Sequence, residues 1–259
     1  MTPPPDPGIA IPRPSATVVV VREAGSTPEV LLVKRRAGDA FGNSYAFPGG
    51  VIDQNEADAT AYSFGLTDAE ANDVLSVETN GLNYYCAGIR ELFEETGILL
   101  ARNENGIWAD CNAQIARQRT EVDRCRLQWS DFLQQHELAM AFDSLHYFAH
   151  WVTPLVRPKR WTTRFFLTEL PPQQTACHDG IETIDSRWMT AANALQQNRS
   201  GDLEIPYPTK KTLESLRNHR TVAEMKDWAH SRRVAGIEKI RPDHVVVDDQ
   251  GSEKTGQQG

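Results

Sequence analysis

The chain has 259 residues, with 27 Lys and Arg against 35 Asp and Glu, a net charge of -8 and a hydrophobic fraction of 40%. This length predicts one large domain with additions. The acidic balance and scattered cations exclude an electrostatic grip on nucleic acid or an anionic membrane, and no apolar run approaches the roughly 20 residues that cross a bilayer.

Residues 1–13 are proline-rich and read as a flexible leader without the basic and apolar regions of a secretion signal. Cys86, Cys111, Cys125 and Cys177 form no CxxC pair, which fits reduced thiols, no zinc site and a cytoplasmic protein. The polar residues 246–259 read as a disordered tail, so one domain over 14–245 is expected.

ATVVVVR (16–22) and EVLLVKR (29–35) are strand-like runs separated by a turn-forming insert and predict a hairpin. The segment AGDAFGNSYAFPGG that follows ends in Gly49 and Gly50, which permit tight backbone near a ligand or simply a turn. From Leu82 the apolar positions 82, 85, 89, 92 and 93 recur at helical spacing, and Gly97 stands where a C-terminal cap belongs. The spacing predicts a helix over 82–96. Residues 112–140 lack Gly and Pro and predict one or two surface helices. Strands follow at 145–154, 164–171 and 181–189. Three helices are then expected, opening near Thr190, near Thr209 after Pro208, and at Thr221, which forms a capping box with Glu224.

RELFEETGI (90–98) carries the chemistry. Glu91, Glu94 and Glu95 share one helical face, and an unpartnered cluster of this kind is mildly unfavourable. A divalent cation reverses that sign, and hard oxygen ligands suit magnesium or manganese. The plainer reading is a solvated acidic face with Arg90 paired to Glu94.

Upstream, Gly50 and Glu56 in FPGGVIDQNE are five residues apart. Together, G-x5-E and R-E-L-x-E-E-x-G-I resemble the Nudix box of the Nudix hydrolase superfamily, with every fixed position present. The departure is length: 33 residues separate Glu56 from Arg90, where the usual box has seven. The insert, about 57–82, is acidic and reads as a helical surface excursion, since lengthening a loop costs little closure entropy. An interrupted box of this kind looks like the coenzyme A diphosphatase branch. VLLVKRRAGDAFGNSYAFPGGVID, HYFAHWVTP, KRWTTRFFLTELP and IPYPTKKTLESL are similar to other stretches of that branch, although Thr162 stands where relatives commonly carry Asp.

The resemblance implies an α/β Nudix fold, a mixed sheet between helices, with a helical C-terminal extension. It implies that Glu94 and Glu95 bind Mg2+ or Mn2+, helped by the Gly50 carbonyl, with Glu56 completing the set. Glu91 would be a further ligand or the base that activates water, Arg90 would orient Glu91 or Glu56, and Glu182 in HDGIET is a second candidate base whose plainer reading is a solvated loop acid. Lys34, Arg35 and Arg36 would meet substrate phosphates or simply end a strand. The implied activity is hydrolysis of a diphosphate linkage in a nucleotide derivative, coenzyme A or acyl-CoA first. An ADP-ribose, NADH or nucleotide-sugar diphosphatase and a non-catalytic binding module are the rivals. A homodimer is compatible with this reading, and no nucleic-acid or membrane partner is expected. His146 and His150 read as structural, Cys86 as buried packing, and Trp151, Trp161 and Trp188 as packing rather than stacking platforms for a base.

Overall fold

Four successive valines, Val18 to Val21, are fully buried in the first strand, β1 (Arg13–Arg22). A strand apolar on both faces belongs inside a sheet covered on both sides. In the computed structural model, which describes residues 10–37 and 43–242 with the backbone of 245–247 and 253–255, Ala16, Val18 and Val20 face one hydrophobic cluster while Val19 and Val21 face a second.

One edge of β1 is shared. Its C-terminal half pairs antiparallel with β2 (Glu29–Arg35), the hairpin read from sequence, and β2 also pairs with the short β3 (Tyr45–Ala46). Its N-terminal half pairs with β4 (Gly49–Val51). The glycine pair is thereby fixed as a strand beside β1.

After β4 come helix α1 (Glu56–Ala59), strand β5 (Ser63–Phe64), helix α2 (Asp68–Leu75) and helix α3 (Leu82–Thr96). The bounds of α3 are those the apolar spacing predicted, and it ends on Gly97 at φ 74°, whose N–H reaches the Phe93 carbonyl at 2.8 Å. Gly88 packs α3 close to β1, since a Cβ there would press on Val18.

The insert is where the sequence reading fails. Its ends do return to one place, but its middle is not a surface excursion. Ala59, Ala71 and Leu75 are buried in the first cluster, β5 pairs in parallel with a later strand, and the Leu75 carbonyl accepts a hydrogen bond from the buried Arg164. Tyr62, Leu66, Val74 and Val77 pack against the same cluster partly buried, but the anchoring residues are spread over two short helices and the segments that flank them, so no single period joins them.

Beyond α3, strand β6 (Ala101–Arg102) leads into helices α4 (Ala113–Asp123) and α5 (Trp129–Gln135) and strand β7 (Ala139–Ala141), the partner of both β5 and β6. These were expected to be surface helices, yet Trp129, Phe132 and Leu133 of α5 are buried, and Trp129 and Phe132 stack at 5.2 Å and meet Phe93 of α3. Here α5 is a core element.

The sheet is completed by β8 (His146–Val152), β9 (Trp161–Glu169) and β10 (Thr183–Thr190), with β11 (Lys239–Ile240) at one edge, in the order β10-β2-β1-β9-β8-β11. The β1 to β9 pair is parallel. Helices α6 (Ala191–Ser200, capped by Thr190), α7 (Tyr207–Leu216) and α8 (Val222–Ala235, capped by Thr221) contribute to the second cluster. Helix α7 opens two residues earlier than expected, with Pro208 tolerated in its first turn because that position needs no N–H. The expectation of a mixed sheet between helices therefore holds. At the boundary of the expected domain and inside the expected tail, Val245–Val247 and Glu253–Thr255 pair as antiparallel strands. The leader 1–9 and the rest of that tail lie outside the described residues.

Candidate active site

Over the end of the sheet where β4, β1, β9 and β8 lie side by side, a cleft of about 420 Å³ opens. Its floor is a row of registered residues running across four strands, Val51, Ser15, Thr163 and Trp151. Three steps between neighbouring strands separate the ends of that row by about 14 Å.

At the β4 end, Gly49 and Gly50 are required by space. Gly49 has φ 151°, and a Cβ on it would strike the Ala16 carbonyl. A Cβ on Gly50 would occupy the position of the Glu91 carboxylate. The helix bearing the acids therefore lies directly on the glycine strand.

Arg90 organises the acids. Its Nε and Nη2 donate to Glu56 Oε1 at 3.0 and 2.8 Å, its Nη1 to Glu94 Oε2 at 2.7 Å, and its Nη2 stands 2.9 Å from Glu91 Oε1 and 3.2 Å from the Val51 carbonyl. Burial works against the guanidinium charge, but Glu91, Glu56 and Glu94 outweigh it and hold its pKa above the ordinary value. One cation thus joins Glu56, before the insert, to Glu91 and Glu94, after it.

Burial drives the carboxylates the other way. It pushes Glu94 up to about 8 and Glu95 up to about 8, opposed by Arg90 and Arg35 respectively, and it raises Glu91 against the pull of Arg90. Glu95 accepts the Gly49 N–H at 3.0 Å through Oε2, while Oε1 lies 3.1 Å from Arg35 Nη2 but is buried with no hydrogen bond of its own.

The cleft lining contains Gly50, Arg35, Arg90, Glu91, Glu94 and Glu182. Glu56 and Glu95 do not line it. Glu56 is 1% exposed, on α1, and Glu95 faces Gly49 and Arg35. Of the three expected phosphate-binding cations, only Arg35 reaches the cleft. Lys34 lies over the Tyr45 ring, and Arg36 donates to the Gly180 carbonyl at 2.6 Å, because alternation along β2 turns neighbours to opposite faces. Glu182 is exposed at the rim, on a loop held by Asp179, which accepts from the Glu182 and Thr183 N–H groups at 2.8 Å each.

Sequence reasoning missed Asp123. It ends α4, lines the cleft, and its charge raises Glu94 further. No motif marks it, because it arrives from a helix outside the box. Arg119, one turn earlier, donates to the Glu94 carbonyl at 2.9 Å and so fixes α4 against α3. Trp151 and Trp161 line the cleft rather than only packing, whereas Trp188 lies under Arg22.

The donor set fits a hard divalent ion: buried oxygens, one of them orphaned on Glu95, beside a strand carbonyl. Among the described residues no three such side chains already converge as ligands, since Arg90 and Arg35 hold the carboxylates instead.

The fold and the site both have known counterparts. The structure superposes on the crystal structure of a NUDIX hydrolase from Alicyclobacillus acidocaldarius with a TM-score of 0.71 and 26% sequence identity, over 84% of this chain and 96% of that one. The class is a Nudix fold. A family model described as the NUDT19 Nudix domain matches residues 57–216, and the chain belongs to that family. It is 25% identical over 251 residues to the acyl-coenzyme A diphosphatase NUDT19 of Xenopus laevis, covering 83% of this chain and 66% of the relative. To the human protein of the same name it is 23% identical over 194 residues, covering 71% and 52%. The chain thus spans less than two thirds of the length of these curated relatives. No helix among the described residues is long and apolar enough to cross a membrane.

Proposed function

We propose that the chain hydrolyses the diphosphate linkage of a nucleotide derivative with the help of Mg2+ or Mn2+, and that coenzyme A or an acyl-CoA is its substrate. The observation that supports this most is Arg90, whose hydrogen bonds close the interrupted box by tying Glu56 to Glu94. The similarity to acyl-coenzyme A diphosphatases supports the substrate.

Glu94, Glu95 and the Gly50 carbonyl would hold the ion, with Glu91 beside them as the base and Asp123 and Glu182 at the rim. When bound, a divalent ion offsets the negative charge of the diphosphate oxygens and makes water easier to deprotonate. Glu56 is a positioning residue that acts through Arg90, and Arg90 aligns Glu91 and Glu94. Glu91 takes one proton from the attacking water. The water oxygen bonds to phosphorus, the bridging P–O bond breaks, and the bridging oxygen leaves on the other phosphate. For coenzyme A the products are phosphopantetheine and adenosine 3',5'-bisphosphate. Glu91 is favoured as base over Glu182 because it rides on a rigid helix against Gly50.

The test is a panel of coenzyme A, acyl-CoA, ADP-ribose, NADH and UDP-glucose with each metal, products resolved by mass. Turnover confined to ADP-ribose, NADH or UDP-glucose moves the substrate, and no metal-dependent turnover leaves a binding module. Glu91→Gln should lower kcat by about 10² to 10⁴-fold with metal affinity nearly unchanged. That pattern in Glu182→Gln alone transfers the base to the loop.

A further inference from the structure

The far end of the cleft is built differently from the carboxylate end. Helix α7 presents its N-terminus there: Pro206, Tyr207, Pro208 and Thr209 all line the cleft, and Tyr207 meets Trp151 edge-on with ring centroids 5.9 Å apart. The N-cap is Pro206, which offers no side-chain acceptor to the first-turn N–H groups. A ten-residue helix without a side-chain cap presents the partial positive charge of its N-terminus to whatever enters.

Thr209 supplies the second observation. It is 4% exposed and polar, it lines the cleft, and neither its hydroxyl nor its N–H has a hydrogen-bond partner among the described residues. The residue is enclosed except where it meets the cleft, so its polar groups are left to whatever occupies that space. Arg157, on the loop after β8, lines the same end and adds positive charge.

We propose that the N-terminus of α7, through the N–H and hydroxyl of Thr209, binds a phosphomonoester of the substrate, a phosphate separate from the diphosphate that is cleaved. The floor row sets the separation: about 14 Å lies between Val51 beside the carboxylates and Trp151 beside Tyr207. A diphosphate held at the carboxylate end leaves the α7 terminus open to a second anionic group of the same nucleotide, such as a phosphate on its ribose. The inference rests on the diphosphatase reading of the cleft and narrows it to nucleotides bearing such a phosphate, among which coenzyme A is one and ADP-ribose is not.

Binding measured by calorimetry, without metal, separates this from turnover. The parent chain should bind adenosine 3',5'-bisphosphate on the order of ten- to a hundred-fold more tightly than adenosine 5'-monophosphate, the worth of hydrogen bonds to a charged group. Thr209→Val, which keeps shape and loses the hydroxyl, should weaken only the bisphosphate, and Thr209→Ser should restore it. With metal, Thr209→Val should raise KM for coenzyme A but not for its 3'-dephospho form, with kcat unchanged. Equal affinity of the parent for both nucleotides overturns the proposal. So does equal weakening of both by Thr209→Val, which would assign the helix end to the 5'-phosphate. Discrimination in binding without hydrolysis of any diphosphate would sink the diphosphatase reading and leave the subsite standing.

Discussion

At its β4 end the cleft is lined by buried ions held in place by other ions; at its β8 end it is lined by rings, prolines and a helix terminus. Around Arg90, removing one partner leaves the others buried and uncompensated, so geometry there is set by a network. Around Tyr207 and Trp151, each group keeps its place through apolar packing, so a change stays local. The lesson is that chemistry at one end should be intolerant of substitution and selectivity at the other should be adjustable.

Arg90→Met is the harshest test of that contrast. It leaves Glu56, 1% exposed, and Glu94 without their countercharge, which should cost about 3 to 5 kcal/mol of stability and abolish turnover. Denaturant unfolding and activity measure both; a stable, active variant would mean that the network is ornamental. Glu94→Gln is next. It keeps the Arg90 contact in shape and removes the ligand charge, so metal affinity should fall by at least about 10²-fold with the circular dichroism spectrum unchanged. Titration with Mn2+ reads it directly.

The parts of this arrangement that were legible in the sequence are those with a period or a fixed spacing. Helix α3 was legible to the residue because its apolar positions and Gly97 mark both ends, and the carboxylate end was legible because its acids recur along one helix. Arg35 could be named as one of three adjacent cations, but not separated from Lys34 and Arg36, since that depends on which face of β2 meets the cleft. Asp123, Trp151 and Thr209 come from three elements far apart in the chain. The packing of helices on the sheet brings them together, and no local pattern encodes it. The insert misled for a related reason: Leu75 and Ala71 look like isolated apolar residues until their partners across the cluster are known.

Tyr207→Leu probes the adjustable end. It removes the ring beside Trp151 but leaves α7 and Thr209 in place, so KM for coenzyme A should rise about ten-fold, the scale of one lost stacking contact, while kcat stays within a factor of two. A fall in kcat with KM unchanged would show that the two ends are coupled.

The smallest effect is expected from His150, beside Trp151 on β8 and 8% exposed. Arg164 Nη1 donates to its Nε2 at 2.7 Å, so that nitrogen carries no proton, and a proton placed there would face a guanidinium. Burial, then Arg164 and Lys239, push its pKa down to about 3. Above about pH 6.5, the ordinary value, folded and unfolded chains are both neutral at this residue and it contributes no pH dependence. Between that pH and 3 the unfolded chain takes up a proton that the folded chain refuses, so stability falls progressively as pH drops. His150→Gln, which can still accept from Arg164 but cannot titrate, should match the parent melting temperature at pH 8 and exceed it increasingly below pH 6. Thr162, whose hydroxyl lies 2.7 Å from the same nitrogen, offers the converse: Thr162→Asp places a carboxylate beside His150 and Arg164, so it should raise the histidine pKa and flatten the acid limb. Thermal unfolding of the parent and both variants across pH 5 to 8 decides it, and parallel curves would show that His150 protonates freely within the fold.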